Sequence, residues 1–173
     1  MTKIIKMESQ NATDERIDAI YKITKNAFAL YKDNLHAEIN LSALSETKKD
    51  ILNDIKNNTV YAAEKNDVIL GSLRIERLSD DVAYLYRFAV DTDERNKGVG
   101  KDLLSYAVEE CEKLRYACIA LHTNSKYYKL ARYYYGMNFY VHSTDNSRGY
   151  IRALFIKELK DVTDIDISCA LKK

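Results

Sequence analysis

A short basic turn with two glycines, residues 95–101 (Arg-Asn-Lys-Gly-Val-Gly-Lys), is the part of the sequence best suited to bind an anion. It follows a segment rich in β-branched and aromatic residues, Val82–Val90, and precedes apolar residues at helical spacing over residues 101–115. A strand therefore enters the turn and a helix leaves it, so unpaired N–H groups and the positive end of the helix dipole converge on one point. With glycines that admit close approach and three basic side chains, this pattern suits a phosphate group.

The same pattern also suits a turn that binds nothing, because many α/β proteins connect a strand to a helix through glycine. Two common nucleotide loops are excluded. The dinucleotide fingerprint needs a third glycine that is missing here, and a Walker A loop needs Gly-Lys-Ser/Thr after a longer gap. A phosphate site of another kind and a purely structural turn remain as alternatives.

The elements before the turn are predicted from the spacing of apolar residues. Thr13 is the expected cap of a first helix, whose apolar face runs from Ile17 to Tyr31. A shorter helix is expected to start near Ser45 or Thr47 and to carry three side chains inward, namely Ile51, Leu52 and Ile55. The predicted strands are residues 3–7, 60–64, 68–78 and 82–90, of which the last three form an antiparallel meander.

After the turn, the pattern predicts a helix to about residue 115, a strand over residues 117–122 and a helix over residues 125–135 that Gly136 ends. A strand, a crossover helix and a strand should place the two strands as parallel neighbours. A closing hairpin is expected at residues 139–143 and 150–157. Residues 161–173 form a tail of uncertain structure, in which Ile165 and Ile167 could make a short edge strand.

Composition narrows the class of protein. A chain of 173 residues fits one domain, and its net charge of +1 argues against a general binder of nucleic acid or membrane surfaces. The three cysteines have no metal-binding spacing, which predicts free thiols and no metal site; Cys111 and Cys118 are expected in the core. Without a signal peptide pattern or a run near the ~18 apolar residues of a membrane span, a cytoplasmic protein is expected.

The element order and the local sequence resemble the GNAT superfamily of N-acetyltransferases. Residues 95–100 match the family signature Arg/Gln-x-x-Gly-x-Gly/Ala at all three fixed positions, and residues 133–139 (Tyr-Tyr-Tyr-Gly-Met-Asn-Phe) resemble its Leu-Tyr-x-x-x-Gly-Phe segment. The resemblance spans about residues 3–157. It implies an α/β (α+β) fold over residues 1–173: a mixed, mostly antiparallel central sheet of six to seven strands, flanked by about four helices, with a splayed pair of parallel central strands.

The resemblance implies acetyl-CoA as co-substrate, with its pyrophosphate on the turn and its pantetheine arm paired with the backbones of Phe88 and Val90. An N–H near Ala89 or Val90 would polarise the thioester carbonyl. The reaction would be direct attack of a primary amine of a small molecule or peptide on the thioester. The implied cofactor-binding residues are Phe88, Ala89, Val90, Arg95, Asn96, Lys97, Gly98, Val99, Gly100, Lys101, Asn124 and Tyr127.

Counting back from Phe139, the family spacing implies Tyr134 as the acid that protonates the departing sulfur. Core packing is the alternative, since the same helix carries four further tyrosines. The sequence departs from the family at three points: Tyr127 stands where an asparagine is common, which brings Asn124 into consideration; Asn138 replaces a glycine; and Tyr84 stands where some members have a glutamate base. Glu76 is a candidate substitute, or else a solvated strand residue.

The acceptor side of such a fold is formed by the first two helices and the last hairpin. Its expected substrate-binding residues are Phe28, Tyr31, Tyr84 and Tyr86. Nearby arginines, Arg87, Arg148 and Arg152, could hold a carboxylate or phosphate of an amine-bearing molecule, whereas His36 has only a small chance of a role. Two alternatives remain: an inactive CoA-binding sensor or interaction module of the same fold, and a phosphate site unrelated to CoA. The tail could also join a sheet edge in a homodimer.

Overall fold

A computed structural model describes residues 2–35, 39–161 and 165–173, and a seven-stranded sheet in the order β1-β2-β3-β4-β5-β7-β6 organises them. The strands are β1 (Lys3–Met7), β2 (Thr59–Lys65), β3 (Val68–Arg77), β4 (Val82–Val90), β5 (Cys118–Asn124), β6 (Tyr140–Asp145) and β7 (Arg152–Glu158). The helices are α1 (Asp14–Asp33), α2 (Ser42–Ser45), α3 (Lys48–Asn57), α4 (Val99–Lys113), α5 (Tyr128–Gly136) and α6 (Ser168–Leu171). Within the described residues, no helix combines the length and the apolar content that crossing a membrane requires.

The two central strands are parallel only where they begin. β4 and β5 pair from Val82 with Cys118 to Tyr84 with Ala120, whereas β3 accompanies β4 to Val90 and β7 accompanies β5 to Asn124. Beyond Tyr84 the two strands therefore separate, each still supported on its other side. The remaining neighbours in the sheet are antiparallel. This mixed sheet with a splayed parallel pair confirms the predicted fold.

A bulge interrupts β4 just after the strands separate. Ser72 of β3 stands opposite Ala89 and Arg74 opposite Tyr86, so β4 has one residue more than β3 between these pairs. The extra length is taken up at Arg87, whose φ of 52° is left-handed. A non-glycine residue in this conformation costs roughly 1–2 kcal/mol, so other contacts must hold it.

A buried charge cluster holds the bulge. Glu46, between α2 and α3, accepts hydrogen bonds from Arg87 Nε at 2.9 Å and from both terminal nitrogens of Arg74 at 2.7 Å. Arg74 is only 1% exposed and also pairs with Asp54 of α3. Each buried charge has an opposite partner, so the cluster avoids the free-energy cost of burying an isolated ion. Its hydrogen bonds also connect the segment before α3 to the bulge.

The two faces of the sheet carry separate cores. Helices α4 and α5 cover one face, with Leu103 and Leu104 of α4 fully buried, and α1 and α3 cover part of the other. Alternation along β4 sends Phe88 and Val90 to the α4 face and Ala89 to the α1 face. The end of β4 is therefore fixed from both sides.

Most predicted elements are confirmed, and the end of α5 shows why Asn138 is tolerated. β4 has the predicted bounds, and Thr13 caps α1 through its side chain. Asn138 has a φ of 61°, while its N–H and that of Phe139 donate to the carbonyls of Tyr135 and Tyr134. This is a Schellman closure with asparagine in the position that usually holds glycine. The left-handed stop is thus Asn138, not the predicted Gly136.

Three local predictions are wrong. Leu52 is 47% exposed, because the buried face of α3 follows Ile51 and Ile55, one turn apart. Ile165 and Ile167 form no edge strand; they lie on the face of the sheet that β4, β5 and β7 share. Helix α5 begins at Tyr128 instead of residue 125, because Ser125 still donates its N–H to Ile151 at 3.0 Å.

Substitution of Gly71 by alanine is expected to destabilise the fold. Gly71 lies on β3 opposite Val90, and a Cβ there would stand 2.9 Å from the carbonyl oxygen of Ala89. Because that obstacle is backbone, we expect a loss of about 1–3 kcal/mol in the free energy of unfolding, measured by chemical denaturation. Gly136→Ala is the matched control, since a Cβ at Gly136 meets no atom within 4 Å. Equal effects of the two substitutions would contradict the steric explanation.

Candidate active site

A cleft of about 850 Å³ opens where β4 and β5 separate, between the turn before α4 and the hairpin of β6 and β7. Most of the predicted site residues line it. These are Phe28, Tyr31, Tyr84, Tyr86, Phe88, Ala89, Val90, Arg95, Asn96, Gly98, Gly100, Lys101, Tyr127 and Tyr134. Four predicted residues, Glu76, Lys97, Val99 and Asn124, are not among the lining residues, and His36 lies outside the described parts of the chain.

The turn at one end of the cleft has the backbone of an anion site. Asn96 and Gly98 have φ angles of 63° and 92°, which turn the chain sharply before α4 begins. The first bond inside α4 runs from Asp102 N–H to Gly98 O at 2.9 Å, so the N–H groups of residues 99–101 lack partners within the helix. Nothing lies within 4 Å of the place where a Cβ on Gly98 would stand, which leaves this backbone open to a ligand.

Two residues of the turn face elsewhere. Val99 is 3% exposed and belongs to the core beneath α4. Lys97 pairs with Glu94 through Nζ and Oε1, 3.2 Å apart. The charges that border the cleft at this end are those of Arg95 and Lys101 together with Glu94.

The open edge of β4 presents alternate N–H groups to the cleft. Asp91 N–H donates to Leu70 O of β3 at 2.8 Å. Because successive N–H groups of a strand point to opposite sides, Ala89 N–H also faces β3, whereas the N–H groups of Val90 and Phe88 face the gap toward β5. Of the two donors that the sequence left open, Val90 therefore has the suitable direction.

Tyr133 contacts both the turn and β4, although no sequence pattern distinguishes it from the four other tyrosines between residues 127 and 135. A Cβ on Gly100 would lie 3.4 Å from Phe88 and Val90 and 3.7 Å from the Tyr133 hydroxyl. That hydroxyl is buried and has no hydrogen-bond partner among the described residues. A buried donor with no partner, beside the free N–H groups of this turn, is available to a ligand.

Tyr134, the predicted acid, lies deeper in the same cleft. It is 5% exposed and packs its ring against Phe139 and Phe155, at centroid distances of 5.8 and 5.5 Å. Burial raises the pKa of its hydroxyl well above the ordinary value of 10.0. The phenol therefore keeps its proton at neutral pH, as a proton donor must.

The other end of the cleft is lined by polar aromatic pairs. Tyr84 Oη and His122 Nδ1 are 2.9 Å apart and bridge the separating strands. Tyr31 of α1 reaches across to β5, where its hydroxyl accepts the Asn124 N–H at 2.8 Å. Tyr86 accepts a hydrogen bond from Asn58 at 2.9 Å. Sequence spacing did not single out His122, because its partner is 38 residues away along the chain.

Burial lowers the pKa of His122 from 6.5 to about 4, and Arg152 and Arg148 contribute in the same direction. Between these two values the unfolded chain binds a proton that the folded chain does not, so stability is expected to rise with pH from about 4 to about 6.5. Above that range His122 contributes no slope. We expect His122→Gln to flatten this part of a plot of melting temperature against pH.

Other groups titrate in the same range, so the exposed His142 of β6 provides the control for that experiment. His142→Gln is expected to leave the slope at its wild-type value. A slope that persists unchanged in His122→Gln would show that His122 is not the group responsible.

Glu76 and Asn124 are occupied by contacts of their own. Glu76 pairs with Lys173 at 2.6 Å, and the Lys173 ammonium, which does line the cleft, also lies 5.8 Å from the centre of the Tyr84 ring. Asn124 Oδ1 accepts the N–H of Lys126 at 2.7 Å. Tyr127, in the position where the family has asparagine, faces the cleft and packs 5.7 Å from the Tyr31 ring.

Solved structures of acetyltransferases have the same fold. PaiA N-acetyltransferase of Thermoplasma acidophilum, in complex with coenzyme A, superposes with a TM-score of 0.75 at 16% identity over 91% of this chain and 99% of its own. The putative acetyltransferase yncA of Salmonella typhimurium, with acetyl-CoA, gives 0.73 at 16% identity over 96% and 99%. The ribosomal-protein-S18-alanine N-acetyltransferase of Escherichia coli gives 0.71 at 17% identity over 95% and 97%.

At the level of sequence, no curated protein gives a significant match to this chain. The sequence model of the acetyltransferase (GNAT) family, however, matches residues 24–139. This range contains the turn, both separating strands and α5, so the match covers most of the chain and most of the residues that line the cleft. The resemblance in the sequence is thereby confirmed, and this protein belongs to the GNAT family of acetyltransferases.

Proposed function

We propose that this protein is an acetyl-CoA-dependent N-acetyltransferase that acetylates a primary amine of a small molecule or peptide. The observation that carries the proposal is the continuity of one cleft. The left-handed turn at residues 95–101, the open edge of β4 and the buried Tyr134 all border it. Family membership supports the acyl transfer, and the relatives solved with CoA or acetyl-CoA support the donor.

Coenzyme A fits the residues present. Its pyrophosphate suits the free N–H groups of residues 99–101 and the charges of Arg95 and Lys101. The amides of its pantetheine arm suit the unpaired edge of β4, where an extended chain can add like a strand. At Gly98 no side chain blocks the approach of a phosphate to the backbone. The Tyr133 hydroxyl is a donor that has no hydrogen-bond partner among the described residues.

Acetyl-CoA supplies an acetyl group activated as a thioester, and the protein supplies the groups that assist its transfer. Val90 N–H is directed to stabilise negative charge that develops on the carbonyl oxygen. Tyr134 donates its proton to the sulfur as the amine bonds to the acetyl carbon and the carbon–sulfur bond breaks. Because burial raises the pKa of Tyr134, its hydroxyl carries a proton at neutral pH and is available as the donor.

The proton that leaves the acceptor ammonium needs a route of its own. Glu76, the candidate base, is bound to Lys173, so it could serve only after that ion pair separates. The neutral Tyr84–His122 pair lines the cleft and offers a hydrogen-bonded path toward water. Only the first route requires a carboxylate that is freed from its ion pair.

An acceptor screen tests the proposal. Purified protein is incubated with acetyl-CoA and a panel of primary amines, and the free thiol released is measured against a blank without amine. We expect amine-dependent release for at least one acceptor class, and a raised melting temperature with CoA alone, since ligand binding stabilises by roughly a few kcal/mol at saturation. CoA binding without turnover across the panel would favour an inactive binding module, and no CoA binding would favour another phosphate ligand.

A further inference from the structure

We propose that the acceptor carries an anionic group, a carboxylate or a phosphate, close to its amine, and that Arg152 binds this group with help from Arg148. The proposal rests on the proposed function and deepens it by giving the substrate class. Both arginines line the cleft at the end away from the phosphate-binding turn.

Arg152 has the properties of a built anion site. It lies at the start of β7 and is only 6% exposed. Its Nε donates to both carboxylate oxygens of Asp145, at 3.0 and 2.8 Å. Its two terminal nitrogens, among the described residues, have no hydrogen-bond partner, although a guanidinium buried in this way normally uses its whole fork of donors. Arg152 borders the cleft, so these free donors are available to a ligand there.

The orientation of Arg152 is fixed by the fold. Asp145 ends β6 and pairs directly with Arg152 across the β6–β7 ladder. Its carboxylate binds the Nε edge of the guanidinium and so fixes the direction of the two terminal nitrogens. Asn124 is its neighbour on the other side, at the end of β5. A rigid, planar fork held on sheet strands is suited to bidentate contact with carboxylate or phosphate.

The carboxylates near this end are already neutralised. Asp145 forms an ion pair with Arg152, and Glu76 forms one with Lys173. Arg148 is exposed at the hairpin and donates to a main-chain oxygen of Lys173 at 2.8 Å, and no side-chain carboxylate of the described residues pairs with it. The side chains at the acceptor end therefore include one cation without a side-chain anion, which favours an acceptor with an anion and opposes one with a second ammonium group.

The Tyr84–His122 pair lies beside this site and is the place that we propose for the reactive amine. Arg152 pairs with Asn124 of β5, two residues beyond His122, so the side chains of Arg152 and His122 leave the sheet on the same side. Arg148 lines the same cleft. An acceptor whose anion sits on Arg152 would have its amine within reach of the Tyr84–His122 pair only if few bonds join the two groups.

Matched acceptors test the proposal. We would compare kcat/KM for β-alanine, its amide and 1,3-diaminopropane, and for O-phosphoethanolamine and ethanolamine, with acetyl-CoA fixed. At least one anionic member should exceed its neutral partner by about tenfold or more, with the diamine poorest. A preference confined to the first series would indicate a carboxylate, and one confined to the second a phosphate. No anionic preference in either series would overturn the proposal.

Variants separate recognition from folding. Arg148→Gln changes an exposed residue, so this variant should fold normally. Arg152→Lys keeps the positive charge but loses the planar set of guanidinium donors. Each substitution should reduce the preference for anionic acceptors by about tenfold, mainly through KM. Arg132→Gln, on the exposed side of α5, is the matched control and should leave it unchanged. Retained stabilisation by CoA would show that each variant is folded.

Failure of the proposed function can be told apart from failure of this inference. If no amine is acetylated, the same acceptors are titrated by calorimetry into the CoA-saturated protein. Tighter binding of the anionic members, weakened in Arg152→Lys and unchanged in Arg132→Gln, would support the arginine site even without turnover. Equal binding of anionic and neutral members, or no binding of either, would overturn it.

Discussion

Replacement of Tyr134 by phenylalanine is expected to lower kcat by about 10²–10⁴-fold, while the affinity for acetyl-CoA changes little. The substitution removes the hydroxyl that lines the cleft but keeps the ring that packs against Phe139 and Phe155. Without the hydroxyl, the sulfur leaves as a thiolate that water must protonate. The measurement is thiol release at saturating substrates, together with calorimetric titration of CoA.

Tyr135→Phe is the control for that variant. Tyr135 is the next residue on α5 and also packs against Phe155, but it is 53% exposed and does not line the cleft. Its kcat should remain within about twofold of wild type, because a surface substitution away from the site rarely matters. Equal rates for Tyr134→Phe and wild type would exclude Tyr134 as the acid and leave it a packing residue.

Replacement of Gly98 by glutamate is expected to weaken CoA binding by about 10²-fold or more without unfolding the protein. The open space at this position accommodates the side chain, but the left-handed φ of 92° adds strain of roughly 1–2 kcal/mol. The new carboxylate would then stand at the start of α4, where the pyrophosphate is proposed to bind. Like charges in such contact cost several kcal/mol, and each 1.4 kcal/mol is about tenfold in affinity.

Gly98→Gln separates charge from shape. It imposes the same backbone strain and almost the same volume, so the difference between the two variants isolates the added negative charge. We expect Gly98→Gln to bind CoA distinctly more tightly than Gly98→Glu, as measured by calorimetry at constant ionic strength. Wild-type affinity in Gly98→Glu would show that the phosphate lies elsewhere.

The features that the sequence predicts well are those that depend on local pattern. β4 was placed at its observed bounds because turn formers flank nine residues of high β propensity, and the turn after it was recognised from fixed spacing. Tyr134 is chosen by its distance from Phe139 in the family that the sequence resembles, and the Schellman closure of α5 fixes that distance in space. Local pattern is sufficient for the strand and the turn, whereas the role of Tyr134 stays a prediction.

The features that it misses depend on contacts between distant segments. Glu76 meets Lys173 across 97 residues, and Tyr84 meets His122 across 38, so no window of sequence contains either pair. Asn124 is a cofactor-binding candidate because the related family has an asparagine close to this position; its contact with the N–H of Lys126 is not visible in the sequence pattern. The free donors of Arg152 follow from its pairing with β6 and from its burial, which are properties of the folded sheet.

The separation of β4 from β5 also bears on how the protein behaves before it binds a ligand. In most sheets the unpaired strand edges are those of the two outer strands, where charged side chains or loops prevent pairing with other chains. Here an unsatisfied edge lies inside the sheet, with α1 and the β6–β7 hairpin around it. An extended segment that can occupy this gap, whether a pantetheine arm or a stretch of an unfolded chain, competes for the same backbone groups. A pantetheine arm bound in this gap would therefore also block other extended chains from pairing with β4.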